Sequence, residues 1–576
     1  MSKRTLSKLQ IRSEILSILS VFNNIEDTPK EKQDEVLKSL KTIENKSDVF
    51  DFLLKELPKL SIEQAQVVIY LFIELGSLDE LKEPLWAFIK DSNSSDELKD
   101  LAGIALRSLG DVSDTQVFLN YLDDPKAVID KETQKLLELA KINPEAQIDF
   151  FDFLFSLPEE EQLSLISSLK TDYSGEYIVN VLVPALESNP SGRIKEALIE
   201  ALGESKNEGA VSILNDIVDN STDLKLKKLA KKNLTLLKIS GIDIENNIAD
   251  KRGDTLCKHT DIYECYASNV DGVGNQGIII SRIKPNQDIM MFTVVINDLE
   301  GIVDCFGFNG ISKTDFSRII HKFQEKSTRL SVSPEYCKYK LIQAERINKK
   351  NNSNITYEYS AWKILTHDFL ALEEPVENIA LAWGNINYIF QGCNLYNYPD
   401  FKYWFFEESD HPKIKEFLDK IVNNILKDVT YYKENIDKLF VYLNNEIKLI
   451  LPEIFDDKLR ACYKNRLLNI AYLMDLQGFN SFRNISSSVA ISLDANYKVP
   501  LSENVFVFEL MKKTVSEGFL RHRQKLKDAQ LNSQFVTSWN IKKLKQAQEP
   551  LPACDDSGVC EIIDLLYEEW MFKPSC

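Results

Sequence analysis

Three carboxylates and one histidine are the first residues whose types suggest chemistry. Asp298, Glu300 and Asp304 lie close together around a predicted hairpin turn, and His321 follows on a predicted helix. Carboxylates near a histidine can act as general acid and base or hold a divalent ion. They are the candidate catalytic set of a hydrolase-like or metal-assisted enzyme. Asp in a turn also serves the turn's own hydrogen bonds, which needs no chemistry. A second set, Cys257, His259 and Cys265 with Cys305 further on, has the residue types of a zinc site. Its C-x-H-x5-C spacing is not a zinc-knuckle spacing, and unrelated thiols with a surface histidine are the favoured reading. Cys554, Cys560 and Cys576 form a looser set that a disordered tail also explains. No cofactor is expected.

The stretch Asn269-Val270-Asp271-Gly272-Val273-Gly274-Asn275-Gln276-Gly277 contains a literal G-x-G-x-x-G. A dinucleotide fingerprint needs its glycines between a strand and a helix, whose N-terminus holds the pyrophosphate. Here Gly277 runs straight into Ile278-Ile279-Ile280, a strand pattern. A calcium loop with Asp271-Gly272 at positions 5 and 6 would begin at Ala267 and end at Ile278, neither of which is a carboxylate. A Gly-rich hairpin turn is the remaining reading, with Gly272, Gly274 and Gly277 permitting positive φ or a bulge. The alternative is a ligand loop around Asp271, Gly272, Gly274 and Gly277, its backbone N–H groups facing an anion. Residues 512–545 are basic, with Lys512, Lys513, Arg521 and Lys545 among them, and Phe535 and Trp539 interleave. Cations beside aromatic rings can hold single-stranded nucleic acid; a solvated helix is the ordinary alternative. No G-x-S-x-G, Walker lysine loop, H-E-x-x-H or kinase motif set is found, which weighs against an enzyme.

The elements that must position these residues change character along the chain. With 576 residues, two to four domains of about 100–200 residues are expected. No signal-peptide run and no membrane-spanning run occurs. The nine cysteines are therefore expected as free thiols in a cytoplasmic protein. Residues 1–250 carry −16 of the net charge of −19, which disfavours nucleic acid there.

Helix-patterned segments in this first part end on similar leucines: Leu40, Leu75, Leu109, Leu139, Leu169, Leu202 and Leu237. The steps are 35, 34, 30, 30, 33 and 35 residues, a period that marks stacked helices. A second helix follows within each unit, as in 208–220 and 114–124. Gly76, Gly110 and Gly203 stand where left-handed caps are expected. Each helix has one apolar stripe, which only stacking can bury in a continuous core. These residues, about 35–240, resemble HEAT/armadillo-type repeats. The resemblance implies an α-solenoid that presents a protein-binding surface. Some helical-repeat relatives act on nucleic-acid bases or attach pigments, but no motif here transfers either activity.

Residues 241–256 read as a linker. An antiparallel α+β module follows over 257–345. Its four-stranded meander comprises 262–269, 276–284, 288–297 and 301–308, and its helix 312–326 is capped by Ser312 and Asp315. Residues 347–356 read as a polar loop, and 356–576 as a mostly helical domain with a strand or extended loop at 487–504. The fold expected is mainly α: a HEAT-like solenoid, a small α+β module and helices. The function expected is a cytoplasmic scaffold with a protein partner on the solenoid. The alternatives are an enzyme with its site in the α+β module, and nucleic-acid binding through 512–545.

Overall fold

In the computed structural model the first part of the chain is a row of helices, running from Lys8–Val21 to Leu224–Ile239. The structure describes residues 4–521 except 22–27, 114, 141–142, 189, 191, 245–252, 327, 495–496 and 498–499. The chain is mainly helical with one antiparallel sheet in its middle, as the two periodicities predict. All seven aligned leucines lie at or near the end of a helix. Five of them are buried, while Leu109 and Leu139 are half-exposed.

Those two flank a break in the interior. Buried apolar residues form one cluster from Ile11 to Leu122 and another from Leu137 to Leu237. The expected continuous core is thus two cores among the described residues, and the break coincides with the two short 30-residue steps. The predicted second helix 114–124 is only one turn there, Thr115–Leu119. Of the three expected left-handed caps only Gly110 has positive φ, at 94°. Gly76 ends its helix in an extended conformation. Gly203 lies within a helix, where a Cβ would come within 2.4 Å of the Asn233 side chain; close packing of two helices requires that glycine.

Between these helices a buried carboxylate ties neighbouring units together. Asp111 accepts from Trp86 Nε1 at 2.8 Å, Lys82 Nζ at 3.1 Å and Ser113 Oγ at 2.8 Å. Burial alone would raise its pKa, but the bonds from Trp86, Ser113 and Lys82 outweigh that and hold it down at about 2. A depressed carboxylate stabilises the fold fully above its unfolded pKa near 4, and the gain disappears as pH falls toward 2. We expect Asp111→Asn to cost about 2 kcal/mol in urea unfolding at pH 6, with the gap narrowing by pH 3. A gap independent of pH would contradict this.

The sheet order is β4-β3-β2-β1-β5, all antiparallel. The four predicted strands are β1 (Asp261–Ser268), β2 (Asn275–Ile283), β3 (Ile289–Asn297) and β4 (Gly301–Ile311). β5 (Arg329–Ser331) adds an edge that the sequence pattern does not reveal, because three residues are too few to show alternation. β2 and β3 are buried almost throughout, since helices cover both sheet faces. Helix Lys313–Lys326 packs Phe316 and Ile320 on Ile279, Ile289 and Met291, with Ser312 Oγ accepting from Asp315 N–H at 3.0 Å. Helices Pro334–Asn351 and Tyr357–Trp362 cover the opposite face through Tyr336, Leu341 and Trp362. The polar stretch 347–356 is therefore helical through Asn351.

The array of helices holds this module directly. Its backbone N–H at Lys30 donates to Asp288 at 2.8 Å, and Glu145 accepts from Asn309 N–H at 3.0 Å. Asp216 pairs with Lys349 at 2.7 Å, Glu187 with Lys363 at 2.9 Å, and Asp152 accepts from Tyr357 Oη. Part of the acidic surface of the helical array thus faces the chain's own sheet module.

The remaining helices Pro412–Lys427, Ile436–Ile454, Asp457–Leu476 and Asn480–Ser492, with 505–521, share one large core. Two local expectations are corrected. The helical pattern of 377–390 is split, α over Val376–Leu381 and 3-10 from Ile386 onward, and 487–492 complete a helix where a strand or loop is expected. Five described cysteines are free, but Cys393 is disulfide-bonded, against the expectation of free thiols throughout. No described helix is long and apolar enough to cross a membrane.

Candidate functional site

The G-x-G-x-x-G stretch forms the β1–β2 turn. Asp271 Oδ1 accepts from the N–H groups of Val273 at 3.0 Å and Asn275 at 2.8 Å, an Asx turn closed on itself. Only Gly274 has positive φ, at 96°. A Cβ there would also lie 2.0 Å from Asp298 Oδ1. Gly272 instead brings the turn backbone against Trp404, and Gly277 is an ordinary strand residue opposite Val295.

The loop's carbonyls have a cation to bind. Arg466, on helix Asp457–Leu476, is 4% exposed. Its Nη1 donates to Gly272 O, its Nη2 to Val273 O at 3.1 Å, and its Nε and Nη2 to both oxygens of Asp298 at 2.7 and 2.9 Å. Tyr463 Oη adds a bond to Gly272 O at 3.1 Å and places its ring 5.0 Å from the guanidinium. Burial would lower the Arg466 pKa, but Asp298 outweighs it and keeps the group charged. The turn thus presents oxygens to a cation, whereas an anion nest presents N–H groups, and two of those N–H groups are already satisfied by Asp271.

The four residues singled out for catalysis are drawn apart. Asp298 turns to Arg466; Glu300 and Asp304 are exposed, with Asp304 accepting from Cys305 N–H at 2.9 Å. His321 is exposed on the Lys313–Lys326 helix, on the other side of the sheet from helix Pro334–Asn351. The cysteine–histidine set is also separated. Cys265 on β1 and Cys305 on β4 have two strands between them, roughly 14 Å at the usual strand spacing. Cys265 lies against Cys337, Cys257 against Ile364, and His259 is exposed. Among the described residues no three potential ligands cluster for a metal ion. Cys554, Cys560 and Cys576 lie outside the described residues, as does 522–545 of the basic segment. Within 512–521, Lys512 is 2% exposed and paired with Glu509, and Lys513 donates to Phe401 O at 3.1 Å. These two cations face inward.

Beside Arg466 the sheet, helix Pro334–Asn351 and helix Asp457–Leu476 border a cavity of about 280 Å³ that opens to solvent past Arg346 and Asn465. Gln276 and Asn469 line it, each 2% exposed. The two N–H groups of Gln276 Nε2 are shared among Ser268 O at 2.8 Å, Tyr336 Oη at 2.9 Å and Asn469 Oδ1 at 3.3 Å. Gln276 Oε1 and Asn469 Nδ2 are buried without a hydrogen-bond partner among the described residues. Such atoms are costly unless something completes them. The wall also carries Lys340, Arg346 and Glu377. Glu377 accepts from Tyr339 Oη at 2.6 Å. Lys340 is half-buried and has no hydrogen bond or contact ion pair among the described residues, only the more distant charges of Glu377 and Asp298. Burial pushes its pKa down. A second cavity of about 210 Å³ lies where the helix array meets the module, but its Lys338 and Lys363 already bind Thr366 O and Glu187.

Sequence reasoning missed Arg466, Lys340, Glu377, Gln276 and Asn469. Arg466 had a signal, as it shares a helical face with Tyr463, Ile470 and Met474, all buried. The two amides had none. Comparison with protein-family models, with curated proteins and with solved structures returns no match to this chain.

Proposed function

We propose that this chain is a ligand-binding scaffold: a HEAT-like helical array holds a sheet module whose cavity takes a small polar ligand. The observation that carries this reading is Lys340, an ammonium held at a cavity wall with no hydrogen-bond acceptor among the described residues. A half-buried charge without a contact partner is costly, and a ligand in the cavity would supply one. Binding is favoured over catalysis because Asp298, the central carboxylate of the enzyme reading, is bonded through both oxygens to Arg466. The test is thermal unfolding of the full chain with a panel of small polar compounds. At least one should raise Tm by a few degrees. Asn465→Trp, an exposed position at the cavity, should abolish that shift without lowering the basal Tm. A shift that survives this plug removes the cavity as the site.

A second role, protein binding by the array, is supported by its charge of −16 over residues 1–250. A basic protein surface bound more weakly as salt rises is the expected signature. Five free thiols fit a cytoplasmic location, and the Cys393 disulfide does not.

A further inference from the structure

We infer that the ligand of this cavity is a small monocarboxylate that also carries a carboxamide or an equivalent ring edge with adjacent N–H and C=O groups. This rests on the cavity being a binding site. The charge count points to a single negative charge: Arg466, Lys340 and Arg346 face Asp298 and Glu377, which leaves one positive charge uncompensated. Arg466 and Asp298 neutralise one another at contact distance. Arg346 is exposed and also lacks a contact partner among the described residues, so Lys340 and Arg346 are the pair that meets the carboxylate. A doubly charged phosphate would overshoot this balance in a partly desolvated site.

The amide requirement comes from the other polar atoms. Gln276 has an acceptor oxygen and Asn469 a donor N–H₂ left over, and both side chains border the cavity. Their common complement is a group that donates and accepts at once. A carboxamide does so, whereas a second carboxylate offers no proton to Gln276 Oε1 and an alkyl end offers nothing. A polar pocket built this way discriminates strongly against analogues that leave its buried groups unpaired.

Three probes separate the two halves of the inference: succinamate, with one carboxylate and one carboxamide; succinamide, with two carboxamides; and succinate, with two carboxylates. Calorimetric titration of the full chain should find succinamate bound at least tenfold tighter than either other probe. Lys340→Met, which removes no internal bond, should weaken succinamate at least tenfold and leave succinamide unchanged. Succinate binding as well as succinamate would overturn the amide half, and succinamide doing so would overturn the anion half. If none of the three binds while a panel compound still raises Tm in the parent and not in Asn465→Trp, this ligand class falls and the cavity reading stands. If no compound does either, both fall.

Discussion

Arg466→Met is expected to destabilise the sheet module by about 3–5 kcal/mol, the range for removing one partner of a buried ion pair. The loss is large because one guanidinium serves three acceptors on two separate turns: the carboxylate of Asp298 and the carbonyls of Gly272 and Val273. Methionine fills the volume but leaves the partly buried Asp298 carboxylate and the Gly272 and Val273 carbonyls without their guanidinium donor. Urea unfolding should show the loss, and amide exchange should accelerate at Gly274, Asn275 and Asp298, whose N–H groups sit in the joined turns. Asp298→Asn alone should cost less, because Asn keeps an acceptor for Arg466. The double variant should cost less than the two losses combined, since the Asp298 charge is then no longer stranded. A single-variant loss below about 1 kcal/mol would show that the guanidinium does not hold the turns together.

Arg282→Met should cause a loss of comparable size, about 3–5 kcal/mol, at the other end of the sheet. Arg282 is 1% exposed and uses every N–H it has. Nε and Nη2 donate to Thr260 Oγ1 and O at 2.9 Å each. Nη1 donates to Leu365 O at 3.0 Å, and Nη1 and Nη2 to Asp368 at 2.8 and 3.0 Å. The planar fork joins the start of β1 to the segment after helix Tyr357–Trp362. Lysine has three donors on one atom and cannot match that geometry, so Arg282→Lys should recover less than half of the loss. Asp368 feels the same pair. Its burial raises its pKa, but Arg282 outweighs that and holds the carboxyl below the usual range. Its contribution is present above the unfolded carboxylate pKa and fades as pH falls through the lowered one. The stability difference between parent and Asp368→Asn should therefore narrow in acid. If Arg282→Lys unfolds with the parent, the fork is not what matters at this position.

These two arginines mark the limit of what sequence reading reaches. Strand positions were legible because β2 and β3 combine β-branched residues with turn signals at both ends. The helix 312–326 was legible from its cap and its Phe316, Ile319, Ile320 and Phe323 stripe. The site was not. Gln276 reads as a polar residue opening a strand, and Asn469 as one polar residue on a helix. They are 193 residues apart, and their bond depends on how helix Asp457–Leu476 packs against the sheet. Asp298 was singled out for chemistry, but nothing near it in sequence indicates that its partner is Arg466, 168 residues later.

By itself the sequence determined the periodicities: helices that repeat every 30 to 35 residues, then an antiparallel meander, then helices again. Local sterics, caps and apolar stripes act over one element at a time, so their record lies in adjacent residues. Only the tertiary structure decided which side chains meet. It gave the array two buried clusters among the described residues, turned part of its acidic flank onto the sheet module, and set an arginine on the carbonyls of the glycine turn. Those outcomes depend on long-range packing and on the cost of leaving a buried charge or amide unpaired, and that cost is set by the assembled surroundings of each group.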